Sequence, residues 1–187
     1  MSKQEWRPDL SGAALEVGLV ELFTGDGKGK TSAALGVILR AAGHGLRVHL
    51  IYFMKGDYPY GERRALAALP NVAVSLFGQD HFVDPENVRP EEIAEAKRGL
   101  DEARRALHSG DYDVLVLDEI NVAVGWKLLE VDDVLELIRS RPAQVELMLT
   151  GRYADPKLIA AADLVTEMVN VKHPYEKGIL SRKGIDY

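Results

Sequence analysis

A chain of 187 residues is long enough to bury one hydrophobic core, and a single domain over 1–187 is the expected organisation. Its net charge of -6 and pI near 5.4 argue against a dedicated binder of nucleic acid or of an anionic membrane, since either needs a basic face. There is no cysteine for a disulfide or a thiolate metal site, and the first twenty residues hold no apolar run of signal-peptide or membrane-spanning length, so a cytoplasmic location is expected.

Taken in order, residues 1–17 fit no regular element and read as an N-terminal extension. The first strand is predicted at 18–23 (GLVELF), followed by the glycine-rich stretch GDGKGKTSAALG at 25–36. A helix follows from Thr31 to Ala42, stopped by Gly43 as a left-handed cap. Further strands are predicted at 47–53 (RVHLIYF) and 72–77 (VAVSLF). Ile93, Ala96, Leu100, Ala103 and Leu107 recur at steps of three and four, which marks the apolar stripe of a long charged helix ending near Gly110. A strand at 114–117 (VLVL), a helix carrying Val131, Val134, Leu135 and Ile138, and a strand at 145–150 come next. Asp155 before Pro156 reads as an N-cap opening a short helix through Ala162, and a last strand is predicted at 164–169. The alternation of apolar strands with helices predicts an α/β fold, with a mostly parallel sheet of five or six strands flanked by helices. The tail at 172–187 carries Lys172, Lys177, Arg182 and Lys183 against Glu176 and Asp186. It reads either as a solvated tail or as a flap over an anionic ligand.

The glycine stretch lies between a strand and a helix, so its amides and the positive end of the helix dipole converge on one point suited to an anion. Gly25, Gly27 and Gly29 leave that approach free of side chains, Lys30 adds a positive charge, and Thr31 places a hydroxyl where a P-loop coordinates magnesium. The match to G-x-x-x-x-G-K-[ST] is imperfect, because Thr24 takes the place of the first glycine. DVLVLDE at 113–119 supplies the second half of the site, an apolar strand ending in Asp118 and Glu119 within reach of a magnesium shell. A nucleoside triphosphate site with Mg²⁺ follows. The reaction does not, because hydrolysis, phosphoryl transfer and switch-like binding all use such loops. Partitioning-type ATPases carry a lysine at the second position of the loop, which here is Gly25; the extra lysine is Lys28, facing either the phosphates or solvent.

The stretch TGDGKGKTSAALGVILRAAGHGLRVHLIYFMKG, followed by YGER, LDEI, TGR, ADLVTEM and VKHPYEKGILSRKGIDY, resembles the ATP:corrinoid adenosyltransferases of the bacterial cobalamin pathway. The resemblance runs from about residue 17 to the C-terminus and implies a P-loop NTPase-like fold. It also implies attack of cob(I)alamin, or reduced cobinamide, on the 5′-carbon of ATP with release of triphosphate. It implies that Gly25, Asp26, Gly27, Lys28, Gly29, Lys30, Thr31 and Ser32 surround the polyphosphate and that Arg152 contacts phosphate. Arg40 would lie near the nucleotide, and Thr31, Glu119 and Asp118 would hold Mg²⁺ or Mn²⁺. Lys30, Arg152 and Phe82 are the implied catalytic residues, with a homodimer as the implied assembly and a reduced flavoprotein as electron donor. Where the family has Phe-x-Trp before the long helix, this chain has FGQDHFVDPENV, so Phe82 matches the first aromatic and Asp84 stands at the second. His44, between two glycines, reads as a turn residue, and His173 as part of a closing tail; neither is expected to ligate cobalt. The rival readings are a small-molecule kinase or NTPase, and a nucleotide-dependent binding or switch module.

Overall fold

The computed structural model describes residues 14–187; of the expected N-terminal extension, residues 1–13 lie outside the described residues. Six strands form one parallel sheet: β1 (Val20–Thr24), β2 (Val48–Phe53), β3 (Val72–Phe77), β4 (Val114–Asp118), β5 (Glu146–Thr150) and β6 (Leu164–Glu167), in the order β3-β2-β4-β5-β1-β6. β6 ends two residues before the predicted limit. The helices are α1 (Lys30–Gly43), α2 (Gly61–Leu66), α3 (Pro90–Ser109), α4 (Ile120–Gly125), α5 (Val131–Arg139) and α6 (Pro156–Ala161). Helices α2 and α4, at six residues each, are too short to show a helical period in the sequence, and α6, of the same length, is marked there only by its cap.

Alternate residues of the central strands feed two apolar layers. Val114, Val116, Leu50 and Tyr52 pack with Ile38 and Ala34 of α1 on one face. Leu115, Leu117, Ile51 and Phe53 pack with Leu100, Ala103 and Leu107 of α3 and with Val134 and Leu137 of α5 on the other. A strand covered on both sides has no polar face to show. That is why β2 and β4 read as continuous apolar runs.

The caps mostly follow the sequence. Gly110 closes α3 in the left-handed region (φ 76), and the Asp155 side chain accepts from the Lys157 amide 2.8 Å away at the start of α6. The end of α1 is a correction. Gly43 is still helical, His44 is the cap, and the left-handed residue is Gly45 (φ 81), with Gly45 N donating to Ala42 O and Leu46 N to Ala41 O. This is a Schellman closure set two residues later than expected, which buries Ala41 before the chain turns into β2.

Because all six strands are parallel, every strand-to-helix loop opens at one edge of the sheet. β1 is followed in sequence by β2, but β5 and β4 lie between them, so α1 crosses two strands. Crevices at such carboxyl edges are where open α/β sheets bind ligands.

Candidate active site

The loop after β1, residues 25–29, closes against the end of β6. Gly27 N donates to Met168 O at 2.6 Å, and a Cβ on Gly27 would stand 2.7 Å from the carbonyl oxygens of Met168 and Val169. Gly25 and Gly29 hold positive φ, 93 and 132. Gly25 and Gly27 therefore serve close packing against the end of β6. Lys30 opens α1 and is buried, its Nζ donating to Gly25 O and Gly27 O, each at 2.7 Å. Burial, and next the neighbouring Arg152, push its ammonium below the usual lysine pKa. Arg152, just after β5, donates to Asp26 O at 2.9 Å from across the loop.

The loop bounds a cavity of about 390 Å³ whose lining includes Gly27 to Ser32, Glu119, Arg152 and the tail residues His173, Tyr175 and Arg182. The tail is thus packed on the loop. Lys28 does not face the cavity alone: its Nζ pairs with Asp186 and donates to Ile185 O at 2.9 Å. Asp186 also accepts from Arg182 N and Nε at 2.8 and 3.0 Å, and the Lys28 and Arg182 hydrogen bonds hold its carboxyl well below the usual range.

Asp118 and Glu119 have separate surroundings. Asp118 is fully buried; its Oδ1 accepts from Thr31 Oγ1 at 2.9 Å and Thr150 Oγ1 at 2.7 Å, while its Oδ2 accepts from Lys55 Nζ at 2.5 Å. Glu119 takes a left-handed conformation (φ 66) as the cap of α4, with its amide donating to Thr150 Oγ1, and it lines the cavity. Burial and then Asp118 push its carboxyl above the ordinary value, against Lys55, Lys30 and Arg152. Of the four non-glycine residues with positive φ among the described residues, Met54, Glu119 and Tyr153 lie beyond the carboxyl ends of β2, β4 and β5, and Lys127 follows α4. Such strain gathers where side chains must be aimed at a site.

The donor set suits a magnesium-sized ion. Such ions take few protein ligands and complete their shell with phosphate and water. Thr31 and Glu119 supply a hydroxyl and a carboxylate on the cavity wall, backed by Asp118. Among the described residues no group of three or more carboxylates and histidines could bind an ion without such help.

A second cavity, of about 250 Å³, opens beyond β2 and β3 between Met54, Lys55, Tyr58, Tyr60, His81 and Phe82. Phe82 is 87% exposed, so it is no core phenylalanine. The end of the tail reaches this region, with the Tyr187 ring 5.3 Å from that of Tyr58. Of the residues expected at the site, Asp118 is buried behind the cavity wall and Phe82 lines the second cavity, while Arg40 lines neither. It is exposed in the last turn of α1, and at ~1.5 Å rise per residue it lies about 15 Å from Lys30. Lys55 and Thr150 are functional candidates that motif reading missed; both had a trace there, in MKG and TGR.

The profile of the family described as ATP:corrinoid adenosyltransferase BtuR/CobO/CobP matches residues 16–187. The chain belongs to this adenosyltransferase family. The corrinoid adenosyltransferase of Pseudomonas aeruginosa is 38% identical over 173 residues, covering 92% of this chain and 85% of the relative. That of Escherichia coli K12 is 35% identical, covering 92% and 87%. The corrinoid adenosyltransferase CobA of Salmonella typhimurium is 34% identical over the same shares. The chain is accordingly an enzyme, and adenosylation of a corrinoid with ATP is the activity its family carries. In this adenosyltransferase the matched stretch includes the glycine loop, both acids, Arg152, Phe82 and the whole tail. No helix among the described residues is long and apolar enough to cross a membrane.

Proposed function

We propose that the Co(I) of a reduced corrinoid, cob(I)alamin or cobinamide, attacks the 5′-carbon of ATP. The cobalt electron pair forms the cobalt–carbon bond while the C5′–O bond breaks, and its electrons leave with intact triphosphate. Cobalt passes formally from Co(I) to Co(III). The observation that carries this reading is the placing of positive charge. Lys30 and Arg152 line the cavity beside the glycine loop, where their charges would stabilise a leaving group that departs with several negative charges. Co(I) needs no deprotonation, so no histidine has to act as a base.

In this reading residues 25–32 hold the polyphosphate, with Lys30 and Arg152 compensating the charge that develops on it. Thr31 and Glu119 hold Mg²⁺ or Mn²⁺, with Asp118 behind them; when bound, the ion adds further charge against the departing triphosphate. The second cavity takes the corrin, and Phe82 presents an exposed ring to its lower face, where it excludes the axial ligand and water. The tail closes the nucleotide side. A homodimer in the cytoplasm, supplied with electrons by a reduced flavoprotein, completes the proposal.

The test is the phosphate product. With MgATP and chemically reduced cobalamin, triphosphate should accumulate in step with adenosylcobalamin. Accumulation of ADP in step with corrinoid consumption would overturn the reading in favour of phosphoryl transfer.

A further inference from the structure

Lys55 leaves β2 through the left-handed Met54 (φ 56), and its side chain is only 13% exposed. Its ammonium stands 2.5 Å from Asp118 Oδ2 and 3.9 Å from Glu119 Oε1, and 5.2 and 5.1 Å from the ring centres of Tyr52 and Tyr60. Arg63 lies over the same two rings and donates to Lys55 O at 3.3 Å.

The consequence falls on Asp118. A fully buried carboxylate without a counter-ion is strongly unfavourable, and Lys55 is the cation in direct contact with it. The Thr31 and Thr150 hydroxyls occupy its other oxygen, so Asp118 has no oxygen left without a partner. Two carboxylates line the cavity: Asp186, whose oxygens are taken by Lys28 and Arg182, and Glu119; Asp118 is not part of that lining. We propose that Lys55 is a positioning residue, a built-in counter-ion that keeps Asp118 on the Thr31 hydroxyl and out of the metal shell. The protein then presents the ion with one carboxylate and one hydroxyl, too few to bind it tightly, and the metal is retained only with the nucleotide. This rests on the reading of Thr31 and Glu119 as the metal's protein ligands.

The experiment is a Mn²⁺ titration followed by the EPR signal of the free ion, with and without ATP and with no corrinoid. Wild-type protein should bind Mn²⁺ weakly alone and much more tightly with ATP. Lys55→Met removes a positive charge beside two carboxylates, so nucleotide-free Mn²⁺ affinity should rise roughly tenfold or more. The double variant Lys55→Met/Asp118→Asn should return to the wild-type value. If Lys55→Met does not fold, Lys55→Gln keeps a donor on Asp118, drops the charge and should shift the affinity the same way. Nucleotide-free affinity unchanged or weaker in a folded single variant overturns the proposal. Wild-type protein that fails to bind Mn²⁺ even with ATP overturns the underlying metal reading and the proposal with it.

Discussion

Substituting Gly27 by alanine tests whether the phosphate loop is shaped by its contact with β6. The new Cβ would stand 2.7 Å from two backbone carbonyl oxygens, those of Met168 and Val169, far inside van der Waals contact and with no flexible side chain to yield. The loop cannot shift freely the other way, because Gly25 holds φ 93 against the same Met168 backbone. Relief requires separation from β6 and loss of the 2.6 Å bond from Gly27 N to Met168 O. One net hydrogen bond and an overpacked contact together are worth about 2–4 kcal/mol. Gly36 is the control. It lies in α1, is exposed, and has nothing within 4 Å of the place a methyl group would take, so alanine there should stabilise by up to ~1 kcal/mol through helix propensity. Urea unfolding of both variants gives the stabilities, and equilibrium dialysis with ATP gives the affinities. Opposite signs for the same substitution are expected, with ATP binding impaired only by Gly27→Ala. A Gly27→Ala protein that keeps both its midpoint and its ATP affinity would refute the argument.

Phe82→Ala should leave stability within ~0.5 kcal/mol, since the ring is 87% exposed. Turnover from Co(II)cobalamin should fall far more than turnover from pre-reduced corrinoid or from cobinamide, and equal losses on all three would remove Phe82 from ligand displacement. Asp186→Asn should speed tryptic cleavage after Arg182 and Lys183 several-fold without moving the thermal midpoint, because it removes the tail's ion pair with Lys28; unchanged cleavage would mean the tail is held elsewhere. Asp113 accepts from Arg47 N at 2.8 Å and from its guanidinium at 2.8 and 3.1 Å, bonds that outweigh burial and lower its pKa below 3.8. Asp113→Asn should cost about 1 kcal/mol at neutral pH, the low end of the range because Arg47 is half-exposed. A depressed folded-state pKa stabilises above the unfolded value, so that deficit should shrink as pH falls below 3.8. A deficit constant across urea titrations from pH 7 to about 3 would contradict this.

What lies within a few residues was legible in the sequence by itself. The apolar runs of β2 and β4, the stripe on α3, the Asp155–Pro156 cap and the pairing of a glycine loop with an acid-tipped strand each follow from local spacing or local steric limits. Even so, the sequence points to Gly43 as the left-handed stop of α1, whereas the chain turns left at Gly45, past the buried Ala41. The strand order belongs to the tertiary structure alone, because every strand here is apolar enough to pair with several others and only the joint packing of two layers selects one arrangement. That order sets β2 and β5 on either side of β4, and so places Lys55 and Thr150 on Asp118. The tail, too, could have been solvated on its composition. It lies on the phosphate loop because Lys28 offers Asp186 a counter-ion across more than 150 residues of chain, a contact that no local pattern encodes.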